Sequence, residues 1–283
     1  MTKYNRLGVA LLSVVAVVVL AACGAVPGVG GGKVDSNACS GIDSSDAGRK
    51  IKAFLKATED LDKATAELEN NTRNACMTMA GELGIAPKGD TAAVCKAVAD
   101  AIRENLKVGI KTGAKLDIQY KPAECNVSAE AKASAAAACE GSASASSESG
   151  SSGSGECAAS AEVEASLSAE CTPPEFDVKF DAGVVVDTSK VEKVVGALKK
   201  GMPELLSIGA KAKMFASAAM VWAKTAKDLA ASAKDIAKQF AGKAGLCVSS
   251  QLAAAASVNV EVRVEVSVQA SAEVGGAAGA GAD

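Results

Sequence analysis

Two stretches of the chain mirror each other about a polar loop, and each has a cysteine at both ends. Residues 125–139 and 157–171 have the same cysteine spacing, and the segment between them is rich in Gly and Ser. Both stretches alternate small apolar residues with polar ones, which is the period of a half-buried strand. Alanine favours helix instead, so helix remains the alternative for both stretches. The alternation predicts two antiparallel strands.

One pairing register accounts for the whole hairpin. It places Cys125 opposite Cys171 and Cys139 opposite Cys157. The apolar residues that flank these stretches then also face each other across the ribbon, namely Tyr120 with Phe176, Ile118 with Val178 and Leu116 with Phe180. We therefore expect an elongated, disulfide-stapled β-hairpin over residues 114–188, with a Gly/Ser-rich loop at 140–156.

The preceding segment, residues 43–113, predicts a helical hairpin. Between Ser44 and Leu83 the apolar and small residues recur in alternating steps of three and four, which is typical of a coiled-coil seam. Gly84 and Pro87 end this helix, and a second helix begins near Thr91. The turn between them is short, so the helices are antiparallel neighbours and Cys76 can reach Cys95.

Long helices return over residues 189–246. A break is expected at Gly201, with Pro203 starting a further helix of about 40 residues that ends at Gly242. Large and small apolar residues recur every seven positions in this helix and predict a packed seam. Its lysines lie mostly off the seam and form a solvated face, or alternatively a surface for anionic lipid.

Six valines alternate with polar residues between Val258 and Val268, and this pattern predicts a third strand within residues 247–274. The Gly/Ala-rich tail, residues 275–283, is expected to be disordered. The fold class expected from the whole chain is therefore α+β. It combines a coiled-coil-like bundle of long antiparallel helices with the elongated hairpin and a C-terminal strand.

The N-terminus predicts an export signal. Lys3 and Arg6 precede an apolar run that is too short to span a bilayer and that ends in Leu20-Ala21-Ala22-Cys23. This arrangement resembles the signal peptide and lipobox of bacterial lipoproteins. The resemblance covers only residues 1–22 and Cys23. It implies that Cys23 receives a diacylglycerol, that the leader is cut before Cys23, and that Gly24 directs the protein to the outer membrane.

The cysteine count agrees with this interpretation. The chain has nine cysteines, and an odd number in an exported protein leaves one unpaired. Setting Cys23 aside leaves eight, enough for four disulfides in an oxidising compartment. Besides the two pairs of the hairpin we expect Cys76–Cys95 and, by elimination, Cys39–Cys247. Residues 23–42 are rich in Gly and are expected to be a flexible tether from the lipid to the body.

The sequence offers little chemistry. It contains no His, and no cysteine pair has CxxC spacing, so zinc and iron–sulfur sites are not expected. No catalytic or cofactor-binding residue is identified, and an enzyme is not expected. Acidic pairs occur at Glu162 and Glu164 and at Glu261 and Glu265, but they are expected to be solvated. The net charge of −3 gives no reason to expect nucleic-acid binding.

The function predicted from these features is that of a lipid-anchored protein of the cell envelope. We expect it to be attached to the outer membrane through Cys23, on the periplasmic or the surface side, and to act as a scaffold that contacts another envelope protein. One alternative is a subunit of an oligomeric pore or export complex assembled from amphipathic strands. A second alternative is a carrier of lipid or a small molecule. The oligomeric state is left open.

Overall fold

The computed structural model describes residues 33–141, 153–240 and 242–280, and these residues are mostly helical with two short antiparallel sheets. The α-helices are α1 Asp46–Leu83, α2 Thr91–Gly109, α3 Ala129–Gly141, α4 Gly153–Leu167, α5 Thr188–Ala231, α6 Ala233–Lys238, α7 Lys243–Ala255 and α8 Val260–Ala280. The strands are β1 Asp117–Lys121, β2 Cys125–Asn126, β3 Glu170–Cys171 and β4 Glu175–Lys179. An α+β class describes this architecture, with helix predominant.

Helix α1 lies where the spacing predicts it. The Ser45 hydroxyl accepts a hydrogen bond from the Gly48 amide at 3.1 Å and caps the first turn. Gly84, with a φ of 74°, ends the helix in the left-handed conformation that glycine adopts without strain. The predicted seam is the buried side of the helix, which consists of Ile51, Phe54, Thr58, Leu61, Thr65, Leu68, Thr72, Ala75 and Met79.

Helix α5 runs antiparallel to α1 and is continuous, so the predicted break at Gly201 is wrong. Gly201 and Pro203 both lie inside the helix. A Cβ at Gly201 would lie 2.2 Å from Met79 Cγ, which shows that the missing side chain lets α5 approach α1 closely. The glycine therefore serves packing between helices. The helix ends at Ala231, before the predicted Gly242, and α6 follows directly.

Neighbouring helices complete a bundle around α1 and α5. Helices α2 and α8 pack on the end where α1 finishes, and they share a core there with strand β4. Helices α4 and α7 pack on the opposite end, near Trp222. Helix α8 runs along both regions, since Val260 belongs to the second core and Val274 to the first. One continuous α5 thus connects the two halves of the molecule.

The hairpin prediction is right at its base and wrong further out. Strands β1 and β4 pair in the expected register, with Ile118 opposite Val178 and Tyr120 opposite Phe176, and β2 meets β3 at Cys125 and Cys171. The stretches beyond them form the helices α3 and α4 instead of strands. Alanine is the strongest helix former, and a side chain this small gains little from strand pairing. Of the predicted loop 140–156, residues 142–152 lie outside the described residues.

The predicted C-terminal strand is also wrong, because five of its six valines lie in α8 and Val258 lies in the short connection between α7 and α8. An alternating pattern contains every fourth residue, and residues four apart share one face of a helix. Val260 and Val264 are accordingly buried, whereas Val262, which lies between them, is 58% exposed. The tail was expected to be disordered from Gly275, but α8 continues to Ala280. Residues 281–283 lie outside the described part of the chain.

Candidate functional site

The expected lipid attachment residue, Cys23, and the leader lie outside the described residues. The segment that follows was predicted to be a flexible tether as far as residue 42, but its last ten residues are packed on the bundle. Ser36 is 2% exposed and Ile42 is 1% exposed. The Asp35 amide donates to Gln251 Oε1 of α7 at 2.9 Å. Residues 33–42 therefore belong to the folded body, which corrects the predicted C-terminal limit of the tether.

Disulfides fix this entry segment and three other places in the fold. The structure pairs all eight cysteines beyond Cys23, in the same pairs that the sequence predicts, which are Cys39–Cys247, Cys76–Cys95, Cys125–Cys171 and Cys139–Cys157. Cys39 and Cys247 are 208 positions apart, so this bond joins the entry segment to α7. Cys139–Cys157 joins the helices α3 and α4 instead of two strands. The cysteines still meet as predicted, because the stretches 125–139 and 157–171 have the same length.

A polar contact holds the entry segment on α1. The buried Ser36 hydroxyl donates to Glu59 Oε2 at 3.2 Å. Lys63, one turn further along, donates to Glu59 Oε1 at 2.7 Å. The hydrogen bond from Lys63 is the main cause that lowers the pKa of the Glu59 carboxyl, and Ser36 lowers it further. The carboxylate is therefore ionised at neutral pH and remains a good acceptor for Ser36.

Three threonines on the buried seam of α1 were read from the sequence only as small residues. Thr58, Thr65 and Thr72 are each fully buried, and each hydroxyl donates to the carbonyl four residues earlier at 2.8 Å. Thr58 has a second role, since its oxygen accepts a hydrogen bond from Trp222 Nε1 at 2.8 Å. The only tryptophan of the chain is thereby oriented in the core between α1 and α5. The available signal in the sequence was that Thr58 and Trp222 each occupy a position of the apolar repeat in their own helix.

An ion-pair cluster joins α8 to α1, and the sequence reasoning missed it. Arg263 donates to the carboxylate of Asp62 and lies 3.9 Å from Glu69 Oε2. The other oxygen of Glu69 accepts from the Thr91 hydroxyl at 3.2 Å. The cluster thus connects three helices. The available signal was Arg263 itself, a single cation within the run of alternating valines.

Glu156, on the first turns of α4, is a buried carboxyl group that the sequence did not single out. The residue is 8% exposed, and its Oε2 atom has no hydrogen-bond partner in the described structure. Removal from water is the main cause that raises the pKa of Glu156, and the charge of Lys50 opposes it only in part. Ionising a carboxyl group at this depth, with one oxygen lacking a partner, costs more free energy than ionising a solvated one.

A shallow groove of about 430 Å³ separates α4 and β2 from the middle of α5. The groove is lined by one acidic residue, Glu162, and one basic residue, Lys213, together with Met214 and Cys125 among others. Glu164 is exposed next to it, and Glu261 and Glu265 are exposed on α8. The groove has the volume of a small-molecule pocket, but it is open instead of enclosed.

Two kinds of feature do not occur in the described part of the chain, a cluster of metal ligands and a membrane-spanning helix. Residues 33–141, 153–240 and 242–280 contain no group of three or more acidic or cysteine side chains placed to hold a metal ion. In the same part of the chain, no helix has the length and apolar character required to span a bilayer.

Comparison with known proteins gives no relative. No protein-family model, no curated protein and no solved structure matches the chain.

Proposed function

We propose that this protein is a lipid-anchored scaffold of the bacterial cell envelope, attached to the outer membrane through acylated Cys23. The motif Leu20-Ala21-Ala22-Cys23 after a charged and apolar leader is the observation that carries the proposal. The scaffold role follows from the body, which is built as a stiff, covalently tied bundle and which presents no constellation of catalytic groups among its described residues.

The pairing of the cysteines supports the anchor. The other eight cysteines of the chain are all used in the four disulfides of the structure. Disulfides of this number are typical of proteins that fold in an oxidising compartment. Cys23 is then the ninth and only cysteine left for other chemistry. Two or more acyl chains on one residue give stable membrane attachment, whereas a single chain gives a weak one.

The dimensions of the bundle support a scaffold. Helix α5 has 44 residues and α1 has 38, which correspond to lengths of about 66 Å and about 57 Å. Both helices are continuous and lie side by side, so the body is longer than a compact sphere of the same mass. Such a rod can hold a binding surface well above the bilayer.

The pore alternative has less support than it had from the sequence. It depended on three long amphipathic strands in each chain. In the described residues the longest strands have five residues, and the valine-rich segment is helical. Among the described residues, the groove beside Lys213 favours the carrier alternative, but the groove is open. The finer picture of a coiled-coil seam between α1 and α5 remains part of our proposal.

The anchor is tested by mass spectrometry of the N-terminal peptide of the mature protein. We expect the mature chain to start at Cys23 and to carry acyl groups there. A Cys23→Ser variant should remain unprocessed or leave the membrane fraction. The matched control is the double variant Cys39→Ser/Cys247→Ser, which also removes cysteines but should stay acylated and membrane-bound. A mature protein that starts elsewhere, or an unmodified Cys23, refutes the anchor.

The scaffold role is tested by crosslinking in whole cells, followed by identification of the captured protein. Photocrosslinkers placed at the exposed residues Met220 and Tyr120 sample the C-terminal third of α5 and the β1–β4 ribbon. We expect one of these positions to capture a defined envelope protein. Failure of both positions to form any protein adduct, under conditions where the anchor is intact, contradicts a scaffold that uses these faces.

A further inference from the structure

The end of the bundle where the chain enters has an unusual surface. Leu246, on α7, is 75% exposed and is the most exposed large apolar side chain among the described residues. Lys243 is exposed and lies three residues earlier, so both side chains project from the same face of the helix. Lys234 and Lys238 are exposed on α6, which packs against α7. We call these four residues, Leu246, Lys243, Lys234 and Lys238, the basal patch.

The basal patch is positively charged. Helix α7 contains no acidic residue, and Asp235 is the only acid between residues 232 and 259. Asp235 binds Lys238 at 2.7 Å, while Lys234 and Lys243 have no ion-pair partner within the described part of the chain. The protein as a whole carries a formal charge of −3. The positive charge of the patch is therefore local, and it surrounds an exposed leucine.

Covalent connections place this patch next to the N-terminal end of the chain. Leu246 precedes Cys247, which is bonded to Cys39. Gln251, one turn further along α7, accepts a hydrogen bond from the amide of Asp35. The antiparallel contacts of α1 with α5 also bring the start of α1 to the end of α5, where α6 begins. The chain enters the structure on the same element that carries the patch.

The length of chain outside the structure limits where this end can lie. Nine residues separate Cys23 from Lys33, and a fully extended chain of this length covers about 35 Å. The bundle itself is about 66 Å long. A lipid on Cys23 therefore keeps α7 close to the bilayer, while the end that carries α2 and the β1–β4 ribbon can stand away from it.

We propose that the basal patch binds the surface of an anionic membrane, with Leu246 inserted among the lipids and the three lysines on the headgroups. This inference rests on the proposed lipid anchor. An exposed apolar residue beside lysines is the composition of interfacial membrane contacts. Each lysine near an anionic surface contributes about fivefold to the binding equilibrium. The patch sets the orientation of the bundle, which the acyl chains alone leave free.

The test uses the complete mature protein, purified with its lipid and reconstituted in vesicles. A Leu246→Trp variant reports on the patch, because lipids with brominated acyl chains quench a tryptophan that enters the bilayer. The native Trp222 is 2% exposed and gives a constant background. The matched control is Val186→Trp, since Val186 is 66% exposed at the opposite end of the bundle. Circular dichroism verifies that both variants fold.

We expect strong quenching of L246W and none of V186W in vesicles that contain anionic lipid. Replacing Lys234, Lys238 and Lys243 by Gln in the L246W protein should lower the ratio of docked to undocked bundle about a hundredfold at low salt. The same three changes at Lys190, Lys193 and Lys199, which are exposed near the other end, should have no effect. Equal quenching of both tryptophans, or no quenching of L246W, overturns the proposal.

The mass of the N-terminal peptide is measured on the same sample. An acylated Cys23 together with an unquenched L246W refutes the basal patch and leaves the anchor in place. An unmodified Cys23 refutes the anchor. If L246W is then quenched on anionic vesicles but not on neutral ones, the result still supports the patch as a binding surface.

Discussion

Replacing Thr58 by Val tests the polar contact at the centre of the core. Valine has nearly the shape of threonine but cannot accept the hydrogen bond that Trp222 Nε1 donates at 2.8 Å. Trp222 is 2% exposed, so water cannot easily replace the lost partner. A buried donor without a partner costs about 1–3 kcal/mol. We therefore expect T58V to lower the free energy of unfolding by that amount.

The chain contains its own controls for this experiment. Thr65 and Thr72 are equally buried and make the same hydrogen bond to the preceding turn, but neither is bonded to a tryptophan. T65V and T72V should therefore change stability by much less, since each carbonyl keeps its helical partner. The difference between T58V and T65V isolates the contact with Trp222. In a Trp222→Phe background, T58V should become as mild as T65V.

Urea denaturation followed by circular dichroism, with the disulfides intact, measures the three variants and the double variant. A loss of 1 kcal/mol corresponds to about 2–4 °C in melting temperature for a domain of this size, so thermal melts provide a second reading. If T58V and T65V are equally stable, or if T58V costs the same with and without Trp222, then the tryptophan is not held by Thr58 and our description of the core is wrong.

Two further substitutions have clear expected outcomes. Gly201→Ala should destabilise the protein by about 1–3 kcal/mol, because the new Cβ would lie 2.2 Å from Met79 Cγ. Gly209→Ala, whose nearest contact would be at 3.5 Å, should stabilise it by up to about 1 kcal/mol. Equal changes in the free energy of unfolding, measured by denaturation, refute the close contact between α1 and α5. Glu156→Gln should raise stability at neutral pH. Burial raises the pKa of Glu156 in the folded state, so the wild type loses stability as the pH rises through that pKa. The advantage of E156Q should vanish below the ordinary glutamate pKa of about 4.5. If the free energies of unfolding of E156Q and wild type differ by the same amount from neutral pH to below 4.5, the pKa of Glu156 is not raised by burial.

The sequence predicted elements correctly where side chains of different size mark a helical face. In α1, large residues such as Phe54 and Leu61 alternate with threonines in steps of three and four, and only a helix places them all on one side. The ribbon base was also predicted, because Tyr120, Phe176 and Ile118 are bulky and their pairing discriminates between registers.

Predictions failed where the residues are small or uniform. In residues 125–139 and 157–171 the alternation of Ala with Ser and Glu has the period of a strand. Alanine nevertheless has the highest helix propensity, and most of both stretches is helical. Mirror-related cysteines meet at the ends of such a hairpin in either conformation. The valines of α8 satisfy a strand pattern and a four-residue helical stripe together. Contacts with α1 and α5 decide between them, and these contacts are not local in sequence.

Long-range contacts also explain what the sequence could not reveal about the candidate sites. The ion pair between Arg263 and Asp62 joins positions 201 apart, and the burial of Glu156 depends on how α4 packs on α1. Cys39–Cys247 was assigned by elimination, without a geometric argument. The patch formed by Leu246 and its neighbouring lysines becomes visible only when α6 and α7 are placed beside the entry segment.

The bond between Cys39 and Cys247 has a mechanical consequence. A pulling force applied between the entry segment and α8 passes from the entry segment directly into α7 through this disulfide. The loop of 208 positions that it closes lies outside the path of the load. Under such a force only the entry segment and residues 248–280 can be stretched. Fully extended, residues 248–280 span about 110 Å. Helices α1 to α6 therefore carry no direct load between these two points as long as the disulfide is oxidised.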